Sequence, residues 1–285
     1  MKIGLLGLIA SDLTDVDHNL IRWAQELGFR GLGAHLTVPA STISDETARR
    51  VRSVVADLGM DFLQLWGPYP CIISPDEEVR RAGVAQARDI VRLAARLGIP
   101  ASGLRPTSLN PRFEWGPHPG NYSAESEERL FRSLMEVLQT AEEVGINLVL
   151  ETHQTTTLDS PQRIRRIIER SGSQRVKVNI DPANFVTDIK TAFHPGPMID
   201  ELFDLLGEFA DTVHVKDVYL EERFLAHMSE AVIGTGIFDL DRVLHRAYET
   251  LPDGYVIVEH LPRSLIPLAK RNLDQKLLDL GIPVG

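Results

Sequence analysis

Four apolar segments in the second half of the sequence contain or end in side chains that can bind metal ions. These side chains are Glu151, Asp181, His214 and Glu259. Burying three carboxylates close together is prohibitive without a cation or a proton, because each loses its hydration and repels the others. Three oxygens and one imidazole suit Mn²⁺, Mg²⁺ or Co²⁺ in an octahedral shell, with Zn²⁺ as an alternative. The sequence therefore predicts a site for one divalent metal ion.

Eight predicted strands position these and other polar side chains. They are Ile3–Leu8, Gly31–Leu36, Asp61–Trp66, Ser102–Arg105, Asn147–His153, Val176–Asp181, Thr212–Asp217 and Tyr255–His260. Several are continuous apolar runs, which suit parallel strands covered on both faces. The carboxyl ends of parallel strands meet at one edge of a sheet or one mouth of a barrel, so we expect the four metal-binding side chains to converge there.

Amphipathic segments between the strands end repeatedly in glycine, which takes the left-handed conformation just past a helix without steric cost. Eight such positions predict eight helices: Gly28, Gly59, Gly98, Gly145, Gly172, Gly207, Gly254 and Gly281. Eightfold strand–helix alternation predicts a single (β/α)8 TIM-barrel domain over residues 1–285, with a doubly wound open sheet as the alternative.

Two connections are longer than a barrel requires. Pro106–Ser123 and Val218–Gly236 are rich in aromatic residues, and both follow predicted strands. We expect them to form lids or substrate walls over the carboxyl-terminal mouth, or else to pack on the rim or form a subunit contact. A third segment, Phe185–Pro197, is predicted to join them.

Five short motifs mark the ends of the last four strands. They are Leu-Glu-Thr-His (150–153), Asn-Ile-Asp-Pro-Ala-Asn (179–184), His-Val-Lys-Asp (214–217), Gly-Thr-Gly (234–236) and Val-Glu-His (258–260). Together they resemble the sugar phosphate isomerase/epimerase family of the xylose isomerase-like TIM-barrel superfamily. That superfamily also includes D-tagatose 3-epimerase-type ketose epimerases, inosose dehydratases, hydroxypyruvate isomerases and AP endonucleases of family 2. The resemblance implies that Glu151, Asp181, His214 and Glu259 are the metal ligands.

The resemblance also implies a divalent-metal-dependent sugar isomerase or epimerase. The substrate would be a ketose or a sugar derivative, and a proton next to its carbonyl would be abstracted through a metal-stabilised enediolate. Glu151 and Glu259 would act as catalytic acid and base as well as ligands. Two positions depart from the ketose epimerases, which usually have a histidine where this chain has Asn184 and an arginine where it has Leu220.

Seven residues are predicted to contact the substrate: His35, Trp66, Arg105, His153, Asn184, Lys216 and Asp217. Trp66 would stack on the apolar face of a sugar, and Arg105 would pair with a carboxylate or phosphate; packing at the mouth is the alternative for both. Lys216 would act electrostatically or as a proton donor, or form a salt bridge with Asp217 or Asp181. Strand alternation places His153 on the face of Glu151 and turns His260 away, as a structural residue.

Two other functions fit these motifs. A lyase or dehydratase of the inosose or dehydroshikimate type would use the same metal and the same proton abstraction. A sugar-binding accessory barrel subunit would bind without turnover. An AP endonuclease is disfavoured, because its metal cluster needs extra histidines where this chain has Asn184, Trp66 and Arg105.

Composition limits the partners. The 285 residues include 40 Asp and Glu against 30 Lys and Arg, a net charge of −10, which disfavours nucleic acid and anionic membranes. No apolar run approaches the length of a membrane span. The single cysteine, Cys71, cannot form an intrachain disulfide and fits a reducing cytoplasm. We expect a small carbohydrate substrate and a homo-oligomer, either a dimer or a tetramer.

Overall fold

Eight strands form one closed, parallel barrel in the structure, a computed structural model that describes residues 1–285. They are β1 (Lys2–Ser11), β2 (Gly31–Leu36), β3 (Asp61–Trp66), β4 (Ala101–Leu104), β5 (Asn147–Leu150), β6 (Val176–Ile180), β7 (Ala210–Val215) and β10 (Tyr255–Val258). The barrel is closed by the pairing of β1 with β10, and β10 pairs in turn with β7. The predicted (β/α)8 barrel is confirmed, and an open sheet is excluded.

Nine α-helices lie between and after these strands. They are α1 (His18–Glu26), α2 (Asp45–Asp57), α3 (Glu77–Leu97), α4 (Ala124–Val144), α5 (Pro161–Ser171), α6 (Ile189–Phe193), α7 (Gly196–Leu206), α8 (Leu240–Thr250) and α9 (Ile266–Asp279). The sequence predicted eight helices, one too few. The extra helix is the short α6, which lies between β6 and α7 and is followed by His194 and Pro195 rather than by a glycine. No helix combines the length and hydrophobicity that a bilayer span needs.

Six of the eight predicted glycine stops adopt left-handed backbone conformations, with φ between 62° and 88°. Gly207 directly follows the last residue of α7, as predicted, but it keeps a right-handed conformation, with φ of −55°, and continues into a turn of 3₁₀ helix. The prediction was wrong at Gly254. Ahead of Gly254, α8 ends at Thr250, and Pro252 cannot extend it.

The ends of six predicted strands needed correction. β1 extends to Ser11 rather than ending at Leu8, and β4 and β7 end at Leu104 and Val215 rather than at residues 105 and 217. β5, β6 and β10 end at Leu150, Ile180 and Val258, whereas the sequence patterns extended them to residues 153, 181 and 260. The acidic residues Glu151, Asp181 and Glu259 therefore lie directly after their strands. Their side chains lie at the barrel mouth, although the backbone N–H of Glu151 still donates to the carbonyl of Leu104 at 3.2 Å.

The aromatic connections rise over this mouth. Residues 106–123 contain a 3₁₀ turn, Pro119–Tyr122, while residues 218–236 contain most of an antiparallel hairpin of β8 (Asp217–Glu221) and β9 (His227–Ala231). Below them, a single core of 71 buried apolar residues joins the barrel and the helices. At the mouth, Gly103 leaves room for the Trp66 ring, since a Cβ at residue 103 would lie 2.2 Å from it.

Candidate metal centre and active site

Four side chains meet at the carboxyl-terminal mouth of the barrel. Glu151, Asp181 and Glu259 follow neighbouring or nearby strands, and His214 lies near the end of β7. All four are buried, and one possible ligand atom from each lies within 4.8 Å of the others. The sequence-predicted ligand set is therefore brought together in space.

His214 lies at the centre of this cluster. Its Nδ1 is 3.0 Å from Oε1 of Glu259, 3.8 Å from Oε1 of Glu151 and 3.9 Å from Oδ2 of Asp181. Burial alone would lower the pKa of His214, but the surrounding carboxylates, Glu259 first, raise it to about 9. One imidazole nitrogen thus faces all three acids, and their negative charges favour a positive group at this point.

Lys216 adds a second positive group to the cluster. Its Nζ lies 2.6 Å from Oδ2 of Asp181 and 2.8 Å from Oε1 of Glu259, and it donates to Oδ1 of Asn184 at 3.2 Å. Burial alone would lower the pKa of Lys216, but Asp181 and Glu259 hold it well above its usual value. The salt bridge between Lys216 and Asp181, one of the alternatives expected from the sequence, is therefore present.

The two glutamates differ in their surroundings. Burial raises the pKa of Glu151 to about 7. Burial would also raise that of Glu259, but the charges of His214 and Lys216 hold the pKa of Glu259 well below its usual value. Glu151 instead receives uncharged donors, with Asn179 Nδ2 at 3.0 Å from Oε2 and Asn184 Nδ2 at 3.3 Å from Oε1.

The cluster fits a divalent ion. Asp181 Oδ1 is buried and accepts no hydrogen bond, which is costly for a carboxylate unless a cation compensates it. Three carboxylates and an imidazole Nδ1 form a mostly oxygen donor set, which suits Mn²⁺, Mg²⁺ or Co²⁺.

A cavity of about 470 Å³ lies at the mouth and includes three members of the cluster in its wall. Its lining residues are Leu6, His35, Trp66, Arg105, Phe113, Trp115, Pro117, Glu151, His153, Thr155, Asn184, His214, Lys216, Glu230, Glu259 and His260. Six of the seven predicted substrate contacts are among them. Its volume and mixture of aromatic and polar groups suit a small polar ligand.

Asp217 is the predicted contact that does not line the cavity. Its carboxylate accepts backbone N–H groups from Val218, Gly234, Gly236 and Phe238, at 2.8–3.1 Å. A Cβ at Gly236 would lie 2.3 Å from Oδ1 of Asp217. Asp217 thus organises the turn before α8.

The 106–123 connection supplies part of the cavity wall. Trp115 lies with its ring 6.0 Å from that of His153, and its carbonyl accepts a hydrogen bond from Thr155 at 2.7 Å. Glu114 of the same connection pairs with Arg105, whose guanidinium also donates to the carbonyl of Gly67 at 2.7 Å. Phe113, Trp115 and Pro117 of this connection line the cavity.

Two further residues, Glu230 and His260, line the cavity. Glu230 was not among the predicted site residues. His260 was predicted to point away, but β10 has already ended, and the residue takes a left-handed conformation with φ of 58°. Its Nδ1 lies 3.0 Å from Oε1 of Glu230 in β9. Strand alternation therefore does not apply at residue 260, and the polar hairpin gave no pattern that would have indicated Glu230.

Comparison with known proteins identifies the family. A family model described as xylose isomerase-like TIM barrel matches residues 21–277. The chain therefore belongs to the xylose isomerase-like TIM-barrel family, as its motifs indicated. The comparison with curated protein sequences gives no match.

Solved structures share the fold over nearly the whole chain. A D-tagatose 3-epimerase-like protein is 19% identical, with a TM-score of 0.74 and coverage of 99% of this chain and 98% of that one. A 3-keto-D-glucoside 4-epimerase from E. coli is 17% identical, with a TM-score of 0.72 and coverage of 98% and 99%. A xylose isomerase-like TIM-barrel protein from Mycobacterium smegmatis in complex with magnesium is 20% identical, with a TM-score of 0.72 and coverage of 98% and 96%.

Proposed function

We propose that this protein is a divalent-metal-dependent sugar isomerase or epimerase that moves a proton on the carbon next to a carbonyl. The observation that carries the proposal is the convergence of Glu151, Asp181, His214 and Glu259 within 4.8 Å, beside the cavity. The names of the structural neighbours, two of which are sugar epimerases or epimerase-like, agree with it.

These four residues would hold the metal, with Mn²⁺ as the first choice and Mg²⁺, Co²⁺ or Zn²⁺ as alternatives. When bound, the ion would supply positive charge that offsets the negative charge developing on the substrate as the proton leaves. A neighbour solved with magnesium supports a divalent ion.

Glu151 and Glu259 would move the proton. In the barrel order β10, β7, β6, β5, they stand at the two ends of the arc that also carries His214 and Asp181. They therefore reach the cavity from different sides, which is what removal of a proton from one face and its return to the other requires. His214 and Lys216 keep Glu259 ionised, which suits it to accept the proton.

The cavity residues would bind an uncharged sugar. Trp66 and Trp115 offer aromatic surface for C–H groups, while His35, His153 and Asn184 offer hydrogen bonds to hydroxyls. The lysine and the arginine in the wall already face acids: Lys216 pairs with Asp181 and Glu259, and Arg105 pairs with Glu114. This pairing favours an unphosphorylated substrate. Asp217 would contribute indirectly, because its carboxylate holds the turn before α8 in place.

The protein would work in the cytoplasm as a homodimer or homotetramer. The hairpin tip supports assembly, because Phe224 and Leu225 are exposed there next to the mouth. Size-exclusion chromatography with light scattering would return the mass of one 31.8 kDa chain if this is wrong.

Incubation of the Mn²⁺-loaded protein with ketoses and inososes in D₂O, followed by NMR, tests the reaction. Deuterium at the carbon next to the carbonyl without loss of water is expected. Loss of water would make the protein a lyase, and binding of a sugar without exchange would make it an accessory barrel.

A further inference from the structure

A continuous path of hydrogen bonds runs through the inside of the barrel. Gln64 Nε2 donates to Oδ2 of Asp211 at 2.7 Å and to Oδ1 of Asn179 at 2.8 Å. Asn179 Nδ2 then donates to Oε2 of Glu151 at 3.0 Å. We call Asp211, Gln64 and Asn179 the polar relay. It connects the metal cluster to the opposite barrel end, where Asp211 lines a second cavity of about 560 Å³.

The direction of every hydrogen bond in the polar relay is set by groups that have only one polarity. Burial raises the pKa of Asp211, while the hydrogen bond from Gln64 lowers it. In its ionised form the Asp211 carboxylate can only accept, and the indole of Trp66 can only donate. Trp66 Nε1 lies 3.3 Å from Oε1 of Gln64. The amide of Gln64 therefore has one orientation that satisfies both neighbours, with its NH₂ toward Asp211 and its carbonyl toward Trp66.

This orientation fixes Asn179 in turn. Its Oδ1 accepts from Gln64 and from Thr212 Oγ1 at 2.7 Å, and its NH₂ donates to the Gln64 carbonyl at 3.2 Å. Asn179 and Gln64 are both buried, so a reversed amide would leave like polarities facing each other with no water to separate them. The NH₂ of Asn179 must then face Glu151.

The two carboxylate oxygens of Glu151 therefore have different surroundings. Oε2 is held by the buried Asn179, and Oε1 lies on the side of the cluster, 3.8 Å from Nδ1 of His214, where it accepts only the longer hydrogen bond from Asn184 Nδ2 at 3.3 Å. A carboxylate that can rotate freely offers either oxygen to a metal, whereas one held by a donor offers the other in a fixed direction.

We propose that Asn179 is a positioning residue for Glu151, and that Asp211 sets its orientation through Gln64 from the far end of the barrel. The inference rests on the proposed function, since it takes Glu151 as a metal ligand. It assigns a role in metal binding to Asp211, which does not belong to the metal cluster.

Asp211→Leu tests the relay, because it removes the carboxylate that accepts from Gln64 with little change of side-chain length. The Gln64 amide then loses its charged acceptor, and the Asn179 NH₂ group that faces Glu151 is held less firmly. Titration calorimetry with Mn²⁺ should then show roughly tenfold weaker binding, the lower range for residues that orient metal ligands. Asp211→Glu retains an acceptor, and the second cavity gives it room, so its affinity should stay near that of the wild type.

Asp61→Leu is the matched control, because Asp61 is an acid at the same barrel end whose partners are Tyr255 and Lys2 rather than Gln64. Its Mn²⁺ affinity should be unchanged. Wild-type affinity in Asp211→Leu would overturn the relay, and so would equal losses in Asp211→Leu and Asp211→Glu. If Asp211→Leu does not fold, Gln64→Met takes its place, with the same expected loss and the same contrary result.

Calorimetry measures metal binding without a sugar. It therefore tests the polar relay independently of the proposed isomerase or epimerase activity. Mn²⁺ binding by the wild type without turnover of any sugar would overturn the proposed function and leave the relay to be decided by the variants. A wild-type chain with no Mn²⁺ affinity would overturn both.

Discussion

The ammonium nitrogen of Lys216 lies 2.6 Å from Oδ2 of Asp181, inside the cluster that we propose binds a metal ion. Both side chains are almost completely buried. Lys216 also reaches Glu259 at 2.8 Å. Lys216 thus places a positive charge beside two acids of the cluster. This charge offsets the repulsion between the two acids in the metal-free protein.

Lys216→Met should therefore make the protein more dependent on metal. Removing one partner of a buried ion pair costs roughly 3–5 kcal/mol, since the other charge is left uncompensated. We expect the metal-free variant to melt well below the metal-free wild type, and Mn²⁺ to raise its Tm by more than it raises that of the wild type. Thermal unfolding with EDTA and with Mn²⁺ measures both quantities.

Lys276→Met is the control, because Lys276 pairs with Asp241 in a more exposed position, where a pair contributes about 0–1 kcal/mol. Equal Mn²⁺-induced gains in Tm for wild type and Lys216→Met would contradict the assigned role of Lys216.

Glu259→Gln should abolish turnover while sparing the fold. The amide is nearly isosteric with the carboxyl group but cannot take a proton from carbon. Loss of a general acid or base typically costs a factor of roughly 10²–10⁴ in rate, and loss of a metal ligand adds to it. Solvent deuterium exchange into a ketose is the readout, with circular dichroism to verify the fold. Exposed Glu249→Gln should retain wild-type exchange; exchange at the wild-type rate in Glu259→Gln would remove Glu259 from the mechanism.

Asp217→Ala should destabilise the hairpin and the turn before α8. Four backbone N–H groups would lose their acceptor, and unsatisfied buried donors cost about 1–3 kcal/mol each when water cannot replace the partner. We expect a lower free energy of unfolding in urea, and Mn²⁺ affinity close to the wild type. Asp253→Ala, at an exposed position, should have no effect. A variant with unchanged stability and a raised KM would show Asp217 to be a direct substrate contact instead.

His35 should stay neutral in the folded protein down to low pH. Burial, with the nearby charge of Arg105, lowers its pKa from 6.5 to about 4. Between these values the unfolded chain binds a proton that the folded chain does not, so stability is lost as the pH falls through 6.5 toward 4. His35→Gln should reduce the loss of stability between pH 7 and pH 5, measured by urea unfolding. Exposed His245→Gln should leave that loss unchanged, and a wild-type slope in His35→Gln would contradict the lowered pKa.

The barrel and the four residues of the buried cluster could be predicted from the sequence because both follow from strong local patterns. Apolar runs ending in an acid show where buried strands reach the mouth, and glycines mark where helices stop. The glycine pattern failed where another residue prevents the helix from continuing, as Pro252 does ahead of Gly254.

Other parts of the site depend on contacts that local patterns do not contain. His260 faces the cavity because its backbone is left-handed, and Glu230 arrives on a hairpin that packs over the mouth from elsewhere in the chain. Asp217 has the position of a substrate contact but is drawn into a turn by Gly234 and Gly236. The polar relay joins residues on three strands, and each of them alone resembles an ordinary polar residue within a strand.

Metal binding by the purified chain tests the central claim most directly. Calorimetry should show one Mn²⁺ bound per chain by the wild type, with binding abolished in Asp181→Asn and a higher Tm when the ion is present. A wild-type chain that binds no divalent ion and melts at the same temperature in EDTA and in Mn²⁺ would contradict the account.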